Sequence, residues 1–250
     1  MTNLHHKLNQ LSLTTMSRQL DQIASDAAAN NWSYSQALES LTELELHSRN
    51  QNAIERRFRM SRLQARHSID GFNFKHHKSR MEIKARVVRL LDLDFIDKGT
   101  SVVVIGNPGV GKTLLAKIIG WRACQANKRV LFTTAADMLN HLNASQIDHS
   151  LIRKLKLYTE PALLVIDELG YLALDQQTSN LFYQVISARH SQKRSTIITT
   201  NTTFSDWGNV LHNSTIAAAI ADRLVENSEI FLLGGPSIRN PQRHSHPPVE

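Results

Sequence analysis

One cysteine, Cys124, stands in the whole chain, so no internal disulfide braces the fold and no cysteine-based metal cage can be built. Its neighbours Ile118, Ile119, Trp121 and Ala123 mark it as a small buried hydrophobe, not a reactive thiol. Long apolar runs are missing too. Stretches such as Val102-Val103-Val104-Ile105 and Leu163-Leu164-Val165-Ile166 fall far below the roughly 20 residues that a membrane span requires. Met1-Thr2-Asn3-Leu4-His5-His6-Lys7 leads into an amphipathic pattern and lacks the apolar core of a signal peptide. The cytoplasm is therefore the expected compartment, with no membrane partner. Histidines number 12, yet His5-His6, His76-His77 and His244-Ser245-His246 lack the cysteine or acidic companions of a metal site.

What is present is ordinary globular material. Apolar residues make up 41% and charged residues 20% of 250, enough for one α/β core of about 150–200 residues and a smaller appendage. The net charge of +7 is unevenly spread. Between Arg49 and Arg89 twelve basic residues face three acidic ones, a surplus of nine that leaves the rest of the chain at −2. A cationic segment beside a near-neutral body is the footprint of a polyanion binder, and equally of a solvated helix face.

Leu4, Leu8, Leu11, Met16, Leu20, Ile23 and Ala27 recur at helical spacing, with Thr14-Thr15 separating two short helices. Ser33 and Gln36 form a capping box for the next helix, which is expected to carry Tyr34, Ala37, Leu38, Leu41 and Leu44 inward. A third helical stretch over 51–66 crowds basic residues around Ile54, Phe58 and Leu63. Ile69-Asp70-Gly71-Phe72-Asn73-Phe74 reads as a turn whose two rings pack either near a bound base or against the next domain. Trp32 and Trp207 read as packing residues.

From about residue 80 the rhythm changes. Compact apolar runs at 101–105, 129–133, 162–166, 196–200 and 229–233 alternate with helical patterns, which predicts a five-stranded parallel α/β sheet covered on both faces. The segment 240–250 has too little apolar content to fold and is expected to be a flexible tail.

Gly106-Asn107-Pro108-Gly109-Val110-Gly111-Lys112-Thr113 fits the phosphate-loop pattern between an apolar strand and a helix. Such a loop turns backbone N–H groups toward phosphates, sends its lysine to the β and γ oxygens and places its threonine hydroxyl on Mg²⁺. ATP or GTP is the implied ligand. The strand ending in Asp167-Glu168 supplies a carboxylate for the metal shell, Asp167, and one that can orient and deprotonate water, Glu168. That second carboxylate argues against a small-molecule kinase. Thr199-Thr200-Asn201 ends another strand in an amide that either helps place the water or forms a turn. Arg223 and Arg239 are candidates to neutralise charge on the γ-phosphate, or ordinary ion-pair partners. Arg189 and Arg194 are second-choice contacts to a neighbour or to DNA.

These segments, with Asn31-Trp32-Ser33-Tyr34-Ser35-Gln36, Val165-Ile166-Asp167-Glu168-Leu169-Gly170-Tyr171, Ala221-Asp222-Arg223-Leu224 and Ser237-Ile238-Arg239, resemble the IstB-like transposition helper ATPases. That group is similar to the DnaC-like helicase loaders within the AAA+ initiator proteins. The resemblance covers residues 1 to about 239 and implies a helical DNA-binding domain (1–66), a linker (67–79) and an AAA+ ATPase domain (80–239). It implies ATP and Mg²⁺ as ligands, hydrolysis of ATP, a homo-oligomer assembled on DNA, and a transposase as partner. By position it makes Asn201 the first sensor, Arg223 an arginine finger acting on a neighbour's ATP, and Arg239 the second sensor. Ile238, where relatives often have an aromatic, and 209–214, which reads as a loosened loop, depart from the pattern. Arg56, Arg57, Arg59, Arg62 and Arg66 are the expected phosphate contacts. Few aromatics are interleaved with them, which favours duplex over single-stranded DNA; a DnaC-like loader gripping a single strand is the alternative.

Overall fold

The computed structural model describes residues 3–170 and 174–238. The chain divides into two compact units, Met1–Arg56 and Arg57–Glu250.

The first unit is helical: α1 (Asn3–Gln10), α2 (Thr14–Ala29) and the opening of α3 (Tyr34–Ser61). Leu8, Met16, Ile23 and Leu41 form its core. The capping box forms as the sequence implies, with Ser33 N donating to Gln36 Oε1 (2.8 Å) and Gln36 N to Ser33 Oγ (3.3 Å). No side chain of α2 caps its own N-terminus. Glu45 of α3 does so instead, accepting from Thr15 N (2.8 Å) and Met16 N (3.1 Å). The expected inward row is corrected in part. Leu41 is buried, but Tyr34 is 97% and Leu38 57% exposed, and Leu44 is exposed as well, because the covered stripe of α3 runs through Ala37, Leu41 and Glu45.

No separate helix begins at 51. α3 contains neither glycine nor proline, so it runs unbroken to Ser61 and stops where Arg62 turns left-handed (φ 61°). Within the second unit Phe58 meets Trp121 edge-on (centroids 5.2 Å apart), and Leu63 is fully buried beside Gly120. The residues expected as a linker belong to this unit too: two 3-10 turns, Ile69–Gly71 and Phe74–His76, flank Phe72, which is buried in the main core. Its ring packs on Phe74 (4.9 Å).

Helices α4 (Lys78–Leu90) and α5 (Asp94–Asp97) lead to β1 (Ser101–Gly106). Then follow α6 (Lys112–Gln125), β2 (Val130–Thr134), α7 (Ala135–Ile147), α8 (Leu151–Thr159) and β3 (Leu163–Leu169). The chain continues as α9 (Gln176–Ser191), β4 (Ser195–Thr200), α10 (Trp207–Val210), α11 (Ser214–Val225) and β5 (Ser228–Leu233). The five strands are all parallel, in the order β2-β3-β4-β1-β5. Alternate residues feed the two faces: Val130, Val165 and Ile197 join a core with α4 and α6, while Leu131, Ile166 and Ile198 join one with α7, α9 and α11. This double covering is why each strand reads as a continuous apolar run.

Three further expectations meet the structure here. Cys124 is fully buried, and burial pushes its thiol up to about 11, as a packing residue requires. Trp207 is buried in the core, but Trp32 is half exposed. Asn209 and Val210 lie in the short helix α10 and Ser214 opens α11, so only 211–213 form the loop expected over 209–214.

Arg189 corrects the idea of a surface contact. It is buried, donates to Thr196 Oγ1 (2.9 Å) and to the carbonyls of Tyr158 (2.9 Å), Thr159, Pro161 and Ser195, and so ties α8, α9 and β4 together. At 1% exposure its guanidinium is closed off from a partner.

Candidate nucleotide site

The C-terminal ends of β1, β3 and β4 open on a cavity of about 230 Å³ lined by Gly109, Gly111, Lys112, Thr113, Leu114, Glu168, Thr199 and Ile238. Gly106, Asn107, Pro108 and Val110 complete the loop that forms its floor. Gly109 (φ 82°) and Gly111 (φ 92°) are left-handed, which lets the loop coil around an anion. Gly111 is also the N-cap of α6 and offers no side chain, so the first N–H groups of that helix face the cleft unclaimed by any cap. Lys112 donates Nζ–H to the carbonyls of Gly106 (2.6 Å) and Asn107 (2.9 Å). The loop is thereby held as a ring around its own cation.

Arg80 braces the loop from beneath. It is fully buried over the Phe72 ring (4.8 Å), donating to the carbonyls of Asn73 (3.0 Å) and Val110. Burial lowers its pKa from the ordinary guanidinium value. Sequence reading missed it; its only signal was a basic residue on the inward face of α4. The segment after β5 meets the loop where Ile238 N donates to Gly109 O (3.0 Å), and it is tied to the region before β1 by Gly234 N donating to Ser79 Oγ (2.9 Å) and His76 Nε2 to Pro236 O (3.0 Å). Arg239 lies outside the described residues.

The acidic pair sits across the cleft. Asp167 is buried and its Oδ1 accepts from Thr113 Oγ1 (2.9 Å) and from Thr199 Oγ1. Hard oxygens of a hydroxyl and a carboxylate meeting in this way are the donor set Mg²⁺ prefers, so the residues fit that ion. Glu168 is exposed to the cleft. Asn201 does not line the cavity; its Oδ1 is buried beside Gly170 with no partner among the described residues.

Arg223 is half buried, lies over the Tyr183 ring (5.0 Å) and donates to Ala219 O (2.9 Å). With Arg194 it borders a small hollow near Ser101 and Thr196, at the starts of β1 and β4. The phosphate loop leaves the other end of β1, at about 3.3 Å per residue. Arg223 therefore stands apart from the cleft.

Of the five arginines expected on phosphates, Arg56 and Arg59 are exposed on α3. Arg62 and Arg66 are exposed as well, Arg57 donates to Asn127 Oδ1 (3.2 Å), and Arg66 covers the rings of Phe58 (4.8 Å) and Trp121 (5.3 Å).

Comparison with known proteins places this site in a family. The model of the IstB-like ATP binding proteins matches residues 6–246. An insertion-sequence ATP-binding protein of Geobacillus stearothermophilus is 36% identical over 236 residues, which span 94% of this chain and 93% of that one. The chain belongs to the IstB-like ATP-binding protein family. Its relatives also include the IS21 ATP-binding protein of Pseudomonas aeruginosa, 31% identical over 96% of this chain and 89% of its own length. Among solved structures the fold is similar to the DnaC helicase loader (TM-score 0.56, 22% identity, 63% of this chain and 91% of that one). DnaI is similar too (TM-score 0.58, 21% identity, 69% and 90%). The architecture of this family member is a five-stranded parallel α/β sheet, preceded in the chain by a helical region, with a fold similar to that of the DnaC helicase loader.

Proposed function

We propose that this protein hydrolyses Mg-ATP, assembles with copies of itself on duplex DNA and assists the transposase of an insertion sequence. One observation carries the hydrolytic part: Asp167 is bonded to Thr113 of the phosphate loop while Glu168, the next residue, faces the cleft. Lys112 and the amides at the start of α6 would bind the triphosphate, with Thr113 and Asp167 holding Mg²⁺, whose charge offsets that of the β and γ oxygens. Glu168 takes the proton of a water as the water oxygen bonds to the γ-phosphorus. The bond from that phosphorus to the β,γ-bridging oxygen breaks, releasing ADP and phosphate. Asn201 and Arg239 are the sensors in this reading.

The position of Arg223 away from its own cleft supports action on the ATP of an adjoining copy, hence a homo-oligomer. The DNA contacts are assigned to Arg56, Arg57, Arg59, Arg62 and Arg66, and the helical region through residue 66 is read as the DNA-binding part. The naming of relatives as insertion-sequence proteins supports the transposase as partner.

The test is a competition between duplex and single-stranded DNA of equal length at fixed salt with ATP, alongside ATP turnover. Duplex is expected to win, with a log–log salt slope of about −0.9 per phosphate neutralised. Tighter binding to the single strand would transfer the reading to a DnaC-like loader, and absence of turnover to a nucleotide-gated binding module.

A further inference from the structure

β3 and β4 run in register as far as Ile166 opposite Ile198, and the next pair is Leu169 opposite Thr200. β3 takes three steps where β4 takes two, so a bulge places one extra residue at Asp167-Glu168. Glu168 accommodates it by adopting φ 62°, a left-handed conformation that a side chain with a Cβ rarely keeps unless its surroundings over-determine it. A single hydroxyl stands opposite. Thr199 is fully buried, its Oγ1 accepts from Glu168 N (3.0 Å), and the same hydroxyl donates to Asp167 Oδ1. One O–H donor and one lone pair are thus committed to two consecutive acidic residues.

We infer that Thr199 is the positioning residue of the acidic pair, holding the bulged backbone that aims Glu168 into the cleft while fixing the carboxylate of Asp167. The inference rests on Glu168 being the proton acceptor in ATP hydrolysis. Asn201, the amide at the same strand end, bonds neither acid, since its oxygen lies buried beside Gly170. Neither Lys112, which bonds the carbonyls of Gly106 and Asn107, nor Thr113, which keeps its own bond to Asp167, is bonded to Thr199. Nucleotide binding and turnover should therefore separate.

Thr199→Val keeps the shape but removes both hydrogen bonds, and Thr199→Ser restores the hydroxyl. The expected result for Val is a kcat lowered about 30-fold, short of the loss of the acid–base group itself, with ATP affinity within roughly threefold of wild type. Serine should recover most of the rate. Because the main effect of Thr199 runs through Glu168, adding Thr199→Val to Glu168→Gln should lower the residual rate by much less than about 30-fold. Wild-type turnover in Thr199→Val, a serine variant as slow as valine, or a further drop of the same size in the Glu168→Gln background would each overturn the inference. So would an affinity loss equal to the rate loss. Should the valine protein fail to melt cooperatively, Thr199→Ala carries the same comparison. If wild type and Glu168→Gln turn over alike, the hydrolytic reading fails and takes this inference with it; an inactive Glu168→Gln beside an unaffected Thr199→Val isolates the failure to Thr199.

Discussion

Ser237 occupies the space that a side chain at Gly109 would need: a Cβ built on that glycine stands 2.1 Å from Ser237 Oγ and 2.8 Å from Ser237 Cβ. The segment after β5 thus rests directly on the phosphate loop. Gly109→Ala should cost about 1–2 kcal/mol for its left-handed backbone alone and more for the collision, and should weaken ATP binding. Adding Ser237→Gly relieves the clash but not the φ, so calorimetric titration should show partial recovery. Full affinity in the single variant would mean that this close packing is absent in solution.

Glu168→Gln should retain ATP, because Thr113 and Asp167 are untouched, yet lower turnover by about 10²–10⁴-fold, the range of a lost general base. Single-turnover hydrolysis beside a binding titration separates the two quantities. A rate near wild type would remove Glu168 from the role.

Arg223 is expected to serve a neighbour's site. Mixing Arg223→Ala subunits with Lys112→Ala subunits, each inactive alone, should restore part of the ATPase activity, since the second supplies an intact arginine to the intact loop of the first. No recovery at any ratio, once mixed oligomers are demonstrated by crosslinking, excludes action in trans.

Glu45 gives the N-terminal unit a defined acid response. Its hydrogen bond with Arg49, and then those from Met16 N and Thr15 N, lower its pKa from the ordinary value. A carboxylate depressed in the folded state contributes stability above its unfolded pKa of about 4.3, and loses it as pH falls through the folded value. Glu45→Gln should therefore speed amide exchange in α2 roughly tenfold at pH 7, about what one cap bond is worth. Below the folded-state pKa of Glu45 variant and wild type should converge. Equal exchange at pH 7 would show that the cap carries no stability.

Much of this architecture was legible along the chain because it is written in short-range terms. Apolar runs alternating with helical periods gave five strands close to their observed bounds, and Ser33 with Gln36 gave a helix start that depends on four consecutive residues. The long helix α3 was split in expectation because its apolar pattern drifts from one face to another; lacking any breaker, the backbone does not stop where the pattern does. The exposure of Tyr34 and Leu38 was hidden for a related reason. Which apolar face is covered depends on what packs there, and periodicity names only the faces.

By itself the sequence determined the phosphate loop, since glycines at 109 and 111, Lys112 and Thr113 act through local backbone geometry, and it determined the acidic strand end at Asp167-Glu168. Tertiary structure alone decided which side chains serve these groups. Arg80 reaches Val110 across 30 residues, Thr199 reaches Asp167 across 32, and Arg189 turns inward to the carbonyls of Tyr158 and Pro161 rather than outward. These partners share no spacing rule with what they hold. A hydrogen bond needs two groups in line within about 3 Å, and only the order in which parallel strands assemble brings β4 beside the bulge in β3.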